Sequence, residues 1–146
     1  MGNICRSPTA EAVFRMKTDK LGLKVTIDSA GTTGAHAKDR PDQRAQKAGL
    51  KRGYSFDGIK ARKVTIDDFE KFDLVLAMDN DNLEKLRAQV PSQYTEKVKL
   101  FLDFATDADE SEVPDPYYGG AGGFEYVLDL VENASDGLIN KIMGNN

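Results

Sequence analysis

Met1-Gly2-Asn3-Ile4-Cys5-Arg6-Ser7-Pro8-Thr9-Ala10-Glu11 is the stretch on which the reading of this chain turns. Gly2 and Asn3 are residue types that turn a backbone tightly, because both tolerate positive φ. Ser7, Pro8 and Glu11 together predict a helix start. Ser7 caps, Pro8 takes the first helical position where its missing N–H costs nothing, and Glu11 favours the positive end of the dipole. A tight loop feeding a helix N-terminus aims backbone N–H groups at one spot, which suits an anion. Arg6 stands beside that spot with a planar guanidinium able to hold two oxygens of a phosphate. Spacing alone fits two readings equally: an oxyanion cradle, or an ordinary capped helix with an arginine nearby.

Outward from this stretch, the chain has 146 residues, of which 40% are hydrophobic and 30% charged. That describes one globular domain, residues 1–146, long enough to bury a core. A net charge of −4 speaks against a nucleic-acid surface. Cys5 is the one cysteine, so no internal disulfide forms, which fits a reducing cytoplasm. No apolar run approaches the ~20 residues of a membrane span, and no signal peptide is visible. A cytoplasmic protein without nucleic-acid or membrane partners is expected.

Periodicity predicts a first helix from Pro8 to about Leu21, with Ala12, Val13, Met16 and Leu21 at helical spacing and Gly22 ending it. Lys24–Asp28 alternates like a strand, and Ser29-Ala30-Gly31-Thr32 is its exit. A polar loop leads to a second helix that begins at Pro41-Asp42, runs to Ala48 and is stopped by Gly49. Thr65 caps a short helical turn through Phe69. Asp73–Met78 is a continuous apolar run, the pattern of a strand buried on both faces. Asp79 caps a helix over Asn80–Gln89, and Val98–Leu102 is a third strand. A long acidic loop, Asp103–Gly123, precedes a final amphipathic helix over Phe124–Met143, with Val127, Leu128, Val131, Leu138, Ile139 and Ile142 as its stripe. Strands alternating with helices point to a parallel sheet covered by helices, with ligands bound beyond the carboxyl ends of the strands.

A second constellation is Val113-Pro114-Asp115-Pro116-Tyr117-Tyr118-Gly119-Gly120. An aspartate between two prolines is a rigidly held carboxyl group. Read alone, this is a turn. The adjacent Tyr117 and Tyr118 offer aromatic faces that line a pocket, accept phosphate themselves, or bury in a homodimer.

The first stretch resembles the phosphate-binding loop of the low-molecular-weight protein tyrosine phosphatases, of the form Cys-x-Gly-Asn-x-Cys-Arg-Ser. The Asp115-Pro116-Tyr117 stretch resembles that family's general-acid loop. Similarity also runs through Asp28–Thr32, Ala61-Arg62 and Ala77-Met78-Asp79, and so over essentially the whole chain. The resemblance implies an α/β fold of three layers, α/β/α, with a small parallel sheet of four strands. Its first, central strand and the nucleophilic cysteine at its end fall just before Met1, so the chain is expected to be N-terminally truncated. Removing a central strand would open a gap in the core, since buried apolar surface contributes about 25 cal/mol per Å².

The resemblance further implies phosphate binding by Gly2, Asn3, Ile4, Cys5, Arg6 and Ser7, with Arg6 and Asp115 catalytic. Asn3, Ser7 and Ser29 would form the hydrogen-bond network that fixes the loop. Tyr117 and Tyr118 would flank the substrate ring. Ala35 stands where members often carry an aromatic wall. The substrate would be a phosphotyrosine protein or a small aryl phosphate, with phosphate or sulfate able to occupy the loop and no metal or cofactor needed. Cys5 sits too close to Arg6 to replace the nucleophile, and His36 matches no catalytic role. Two other readings stand beside this one. One is a non-catalytic module that binds phosphoanions. The other is an arginine phosphatase or arsenate reductase on the same fold; the former carries threonine where Ile4 stands, and the latter needs redox cysteines that are not present here.

Overall fold

The computed structural model describes residues 6–32, 40–116 and 121–144. The first helix, α1, spans Arg6–Lys20. It begins ahead of the expected Pro8, so Ser7 lies inside its first turn rather than at its cap. Pro8 is tolerated there because first-turn N–H groups have no intrahelical partner to lose. The helix ends as expected at Gly22, whose φ is +69°. The amides of Gly22 and Leu23 return to the carbonyls of Asp19 and Thr18, the paired bonds of a Schellman cap. Ala12 and Val13 face the core, whereas Leu21 is exposed beyond the cap.

The second helix, α2, spans Gln43–Lys51 and is capped by Asp42, whose carboxylate accepts from the Arg44 amide. It does not stop at Gly49. That glycine is there for packing: a Cβ would lie 2.5 Å from the Phe56 ring. Termination comes at Gly53, with φ +90° and Tyr54 N–H bonded back to Gly49. The short α3, Ile66–Lys71, starts at Thr65 as predicted; the Asp68 carboxylate reaches back to the Thr65 amide at 2.8 Å.

Strand β1, Val75–Ala77, pairs in parallel with β2, Val98–Leu100, in the register Val75↔Val98, Leu76↔Lys99 and Ala77↔Leu100. Between them runs α4, Asn80–Gln89, capped by Asp79 through the Asn82 amide at 2.8 Å. Both strands are shorter than expected, and Phe101–Phe104 turns into a 3-10 helix. Alternation along β1 supplies a core on each sheet face. Val75 and Ala77 join Phe69, Leu83, Leu86 and Leu100, while Leu74, Leu76 and Met78 pack with residues of α1 and of α5, Ala121–Ile142. This is an α/β fold with a small parallel sheet. Helix α5 buries Val127, Leu128, Val131, Leu138 and Ile139 of its predicted stripe, and Ile142 is exposed. It presses so closely on the 3-10 turn that a Cβ at Gly137 would lie 1.7 Å from the Phe104 carbonyl oxygen.

Lys24–Asp28, expected as a strand, forms no assigned strand, and among the described residues pairing on this side is a single parallel bridge, Gly31 to Lys63. The alternating pattern is there, but a strand also needs a neighbour to accept its backbone bonds. Between this segment and β1 lies a cavity of about 570 Å³. Val75 and Leu76, expected to be buried on both sides, border it and are only half-buried.

Candidate functional site

Arg6, on the first turn of α1, is 5% exposed. Its Nη1 donates to Asp79 Oδ2 at 2.6 Å and to the Val113 carbonyl at 2.8 Å. Both protons of that nitrogen are therefore used. Nε and Nη2 have no acceptor among the described residues, leaving a two-donor edge suited to an oxyanion.

Each partner is held by β1. Asp79 lies two residues past the end of that strand and is fixed by capping α4. Val113 is fully buried, and its amide donates to the Met78 carbonyl at 2.7 Å. Glu112 accepts from the Asn80 amide at 2.8 Å, adding a second tie between this loop and the start of α4. One strand end thus positions both the arginine's carboxylate and the loop that carries Asp115. Asp115 itself is exposed, and Pro116 is buried against the first turn of α5, close to Gly123.

Asp79 is held below the usual carboxylate range. Burial opposes this, but the Asn82 amide and the Arg6 charge outweigh it. Glu11 goes the other way: burial raises its pKa, only partly offset by the Ser29 hydroxyl and by Arg15. The Ser29 hydroxyl donates to Glu11 Oε1 at 2.6 Å. Among the described residues its proton goes to Glu11 and not to Ser7, because a hydroxyl has one proton and a buried carboxylate is the stronger acceptor. Ser7 lines the same cavity as Ser29. Arg62 grips Asp68 with both terminal nitrogens, at 2.9 and 3.0 Å, and reaches Asp28 at 3.1 Å, anchoring the segment that carries Ser29.

Of the residues expected at the site, the structure gathers Arg6 and Asp115 through Val113 and places Ser7 and Ser29 around one cavity. Gly2, Asn3, Ile4, Cys5, Ala35, His36, Tyr117 and Tyr118 lie outside the described residues. Sequence reasoning treated Asp79 only as a helix cap and Glu11 only as a dipole partner, and it passed over the Val113 carbonyl. The signal for Asp79 was its position at the carboxyl end of a buried strand, where α/β sheets bind ligands.

An arginine clamped at a helix start, beyond the ends of parallel strands, is an arrangement on an α/β fold that can hold an oxyanion. The chain belongs to the low molecular weight phosphotyrosine protein phosphatase family, whose sequence profile matches residues 1–146. A Synechocystis relative bearing the low molecular weight protein-tyrosine-phosphatase name is 47% identical over 145 residues, covering 97% of this chain and 92% of its own. The crystal structure of an Entamoeba histolytica protein tyrosine phosphatase with Hepes in its active site superposes with a TM-score of 0.95. It is 45% identical and covers 99% of this chain and 93% of that one. The Drosophila arginine phosphatase DARP shares the fold at a TM-score of 0.90 and 28% identity, covering 100% of this chain and 96% of its own.

Proposed function

We propose that this site acts on phosphotyrosine by phosphoryl transfer to a cysteine thiolate. The observation that carries this reading is the Arg6–Val113 bond, which fastens the phosphate-binding arginine two residues from Asp115 although 107 residues separate its ends. Nε and Nη2 of Arg6 and the amides at the start of α1 hold the phosphoryl oxygens. A thiolate at the nucleophile position attacks phosphorus as the P–O(aryl) bond breaks. Asp115 gives its proton to the departing phenolate, whose parent pKa of about 10 makes it a poor leaving group unaided. Water then attacks phosphorus, Asp115 takes its proton, and the thiolate leaves with release of inorganic phosphate. The paired Tyr117 and Tyr118 supply the aromatic face for the substrate ring, and a cytoplasmic site of action accords with this chemistry.

In the family's register the nucleophile falls one position ahead of Met1, so the 146 residues alone are expected to bind phosphate or sulfate without turnover. Two chains test this: the 146-residue chain, of 16.1 kDa with one thiol, and the same chain extended through the register cysteine. Phosphate release from phosphotyrosine should appear only in the second. There, Asp115→Asn should lower kcat by about 10²–10⁴. Thiol-dependent release from the verified 16.1 kDa chain would overturn the reading. Preferential hydrolysis of phosphoarginine would favour the arginine phosphatase alternative, which the shared fold of DARP keeps in view.

A further inference from the structure

We propose that the exposed face of α2 docks an acidic, extended segment of the phosphoprotein substrate, next to its phosphotyrosine. The inference rests on the phosphotyrosine reading above and adds what the substrate carries beside that residue. Helix α2 is sorted by face. Ala45, Ala48 and Gly49 are buried, whereas Gln43, Lys47, Leu50 and Lys51 are exposed and line one surface groove together with Arg40.

The groove carries cations that the protein leaves unanswered. Arg40, Lys47 and Lys51 make no ion pair among the described residues. The carboxylate in the same groove, Asp42, is engaged: it caps α2 and accepts from Nε of Arg44 at 3.3 Å. On α5, Glu125, Asp129 and Glu132 turn to Arg52, just past the end of α2, and not to Lys47 or Lys51. A locally positive face therefore stands on a chain whose net charge is −4. That overall charge repels a nucleic acid or an anionic membrane at longer range, so a short acidic peptide is the partner that suits a patch of this size. Leu50, 61% exposed beside the two lysines, adds an apolar contact.

Position and spacing agree with this occupant. The start of α2 stands near the acid loop: the Arg44 guanidinium lies 5.0 Å from the centre of the Phe124 ring. Phe124 follows Gly123, which packs on Pro116, the neighbour of Asp115. A phosphotyrosine held by Arg6 and met by Asp115 thus has its flanking residues directed towards α2. Lys47 and Lys51 are one helical turn apart, a rise of about 6 Å. Side chains two residues apart on an extended peptide are separated by about 6.6 Å. Two carboxylates at alternate positions therefore meet the two lysines in register.

Labelled phosphotyrosine peptides binding to the 146-residue chain, read by fluorescence anisotropy, test this. An Asp/Glu pair at alternate positions is placed on either side of the phosphotyrosine, up to about six residues away, a reach of about 20 Å. Exposed ion pairs are individually weak, so the best acidic peptide should bind about fivefold more tightly than its Asn/Gln counterpart at about 0.1 M salt. The gap should close at about 1 M salt, where the screening length falls to about 3 Å. Lys47→Glu with Lys51→Glu should abolish the gap and leave binding of the neutral phosphopeptide unchanged; Lys47→Gln with Lys51→Gln should do the same without reversing charge. A preference below about twofold, or one that survives in both double variants, would overturn the surface while leaving the phosphotyrosine reading intact. Conversely, failure of the phosphate to strengthen binding, with the acidic preference kept, would overturn that reading and support the surface. Capture of the parent but not the variants by phosphatidylserine vesicles, without any peptide preference, would overturn the proposal in favour of a membrane.

Discussion

Replacing Asp79 by asparagine isolates one charge at the centre of the site. Asparagine remains a good helix cap, so α4 keeps its N-terminal bond, and an amide oxygen can still face Arg6. What is lost is the negative charge opposite a guanidinium that is only 5% exposed. A hydrogen bond between charged groups contributes about 1.5–3 kcal/mol and a neutral one about 1 kcal/mol, so the variant should be about 1–2 kcal/mol less stable. For a chain of this size that is a fall in Tm of about 3–8 °C. The loss should vanish in an Arg6→Gln background, and the double-mutant cycle measures the coupling. Acid should remove it as well. The lowered pKa of Asp79 makes its contribution complete above its ordinary value of 3.8 and lost as pH falls through the folded-state value below that. Sulfate should stabilise the variant more than the parent, because Arg6 then meets the anion without a competing carboxylate. Each tenfold gain in affinity adds about 1.4 kcal/mol at saturation. Differential scanning fluorimetry with and without sulfate reads all of this. A coupling below about 0.5 kcal/mol, with equal sulfate shifts in parent and variant, would refute the argument.

Two further outcomes follow from packing and burial. Gly137→Ala puts a methyl group against the Phe104 carbonyl and should cost about 3 kcal/mol, the upper end for overpacking. Gly58→Ala, at φ +80° with nothing within 4 Å, should cost only about 1–2 kcal/mol; thermal unfolding that reverses this order would show the α5 contact to be looser than described. Glu11 has a raised pKa, so its protonated form is favoured by folding. Its contribution is complete below the ordinary value of 4.5 and lost as pH rises through the folded value. Stability of Glu11→Gln relative to the parent should therefore improve from pH 4.5 towards neutrality, and a flat difference across that range in pH-dependent denaturant melts would refute it.

The helices were legible wherever their ends carry local chemistry. Asp42, Thr65 and Asp79 start α2, α3 and α4 because each offers an oxygen to nearby amides, and Gly22 ends α1 because only glycine takes positive φ without strain. Gly49 misled because a glycine can be required by a neighbouring ring as well as by its own backbone; nothing local announces Phe56. The strands were less legible. Lys24–Asp28 has the composition of a strand, but pairing is a property of two segments, and its neighbour across the cavity is not supplied by the described residues. The site showed the same division. Arg6 and Asp115 could be named from their own neighbourhoods. Asp79, Val113 and Glu11 could not, because their roles arise only when segments far apart in sequence meet.

That difference explains how the site is built. Arg6 holds Asp79 and the Val113 carbonyl with a single nitrogen, and both acceptors depend on the end of β1, through the α4 cap and the Met78–Val113 bond. Moving that strand end would shift the arginine's carboxylate and the Asp115 loop together. The same strand borders the cavity of about 570 Å³. The geometry that a phosphoryl group would meet is therefore set by how firmly β1 is fixed on both sides, and only its β2 side is tied among the described residues. Packing in the sheet and chemistry at its carboxyl end are one structural problem in this protein, solved by a strand of three residues.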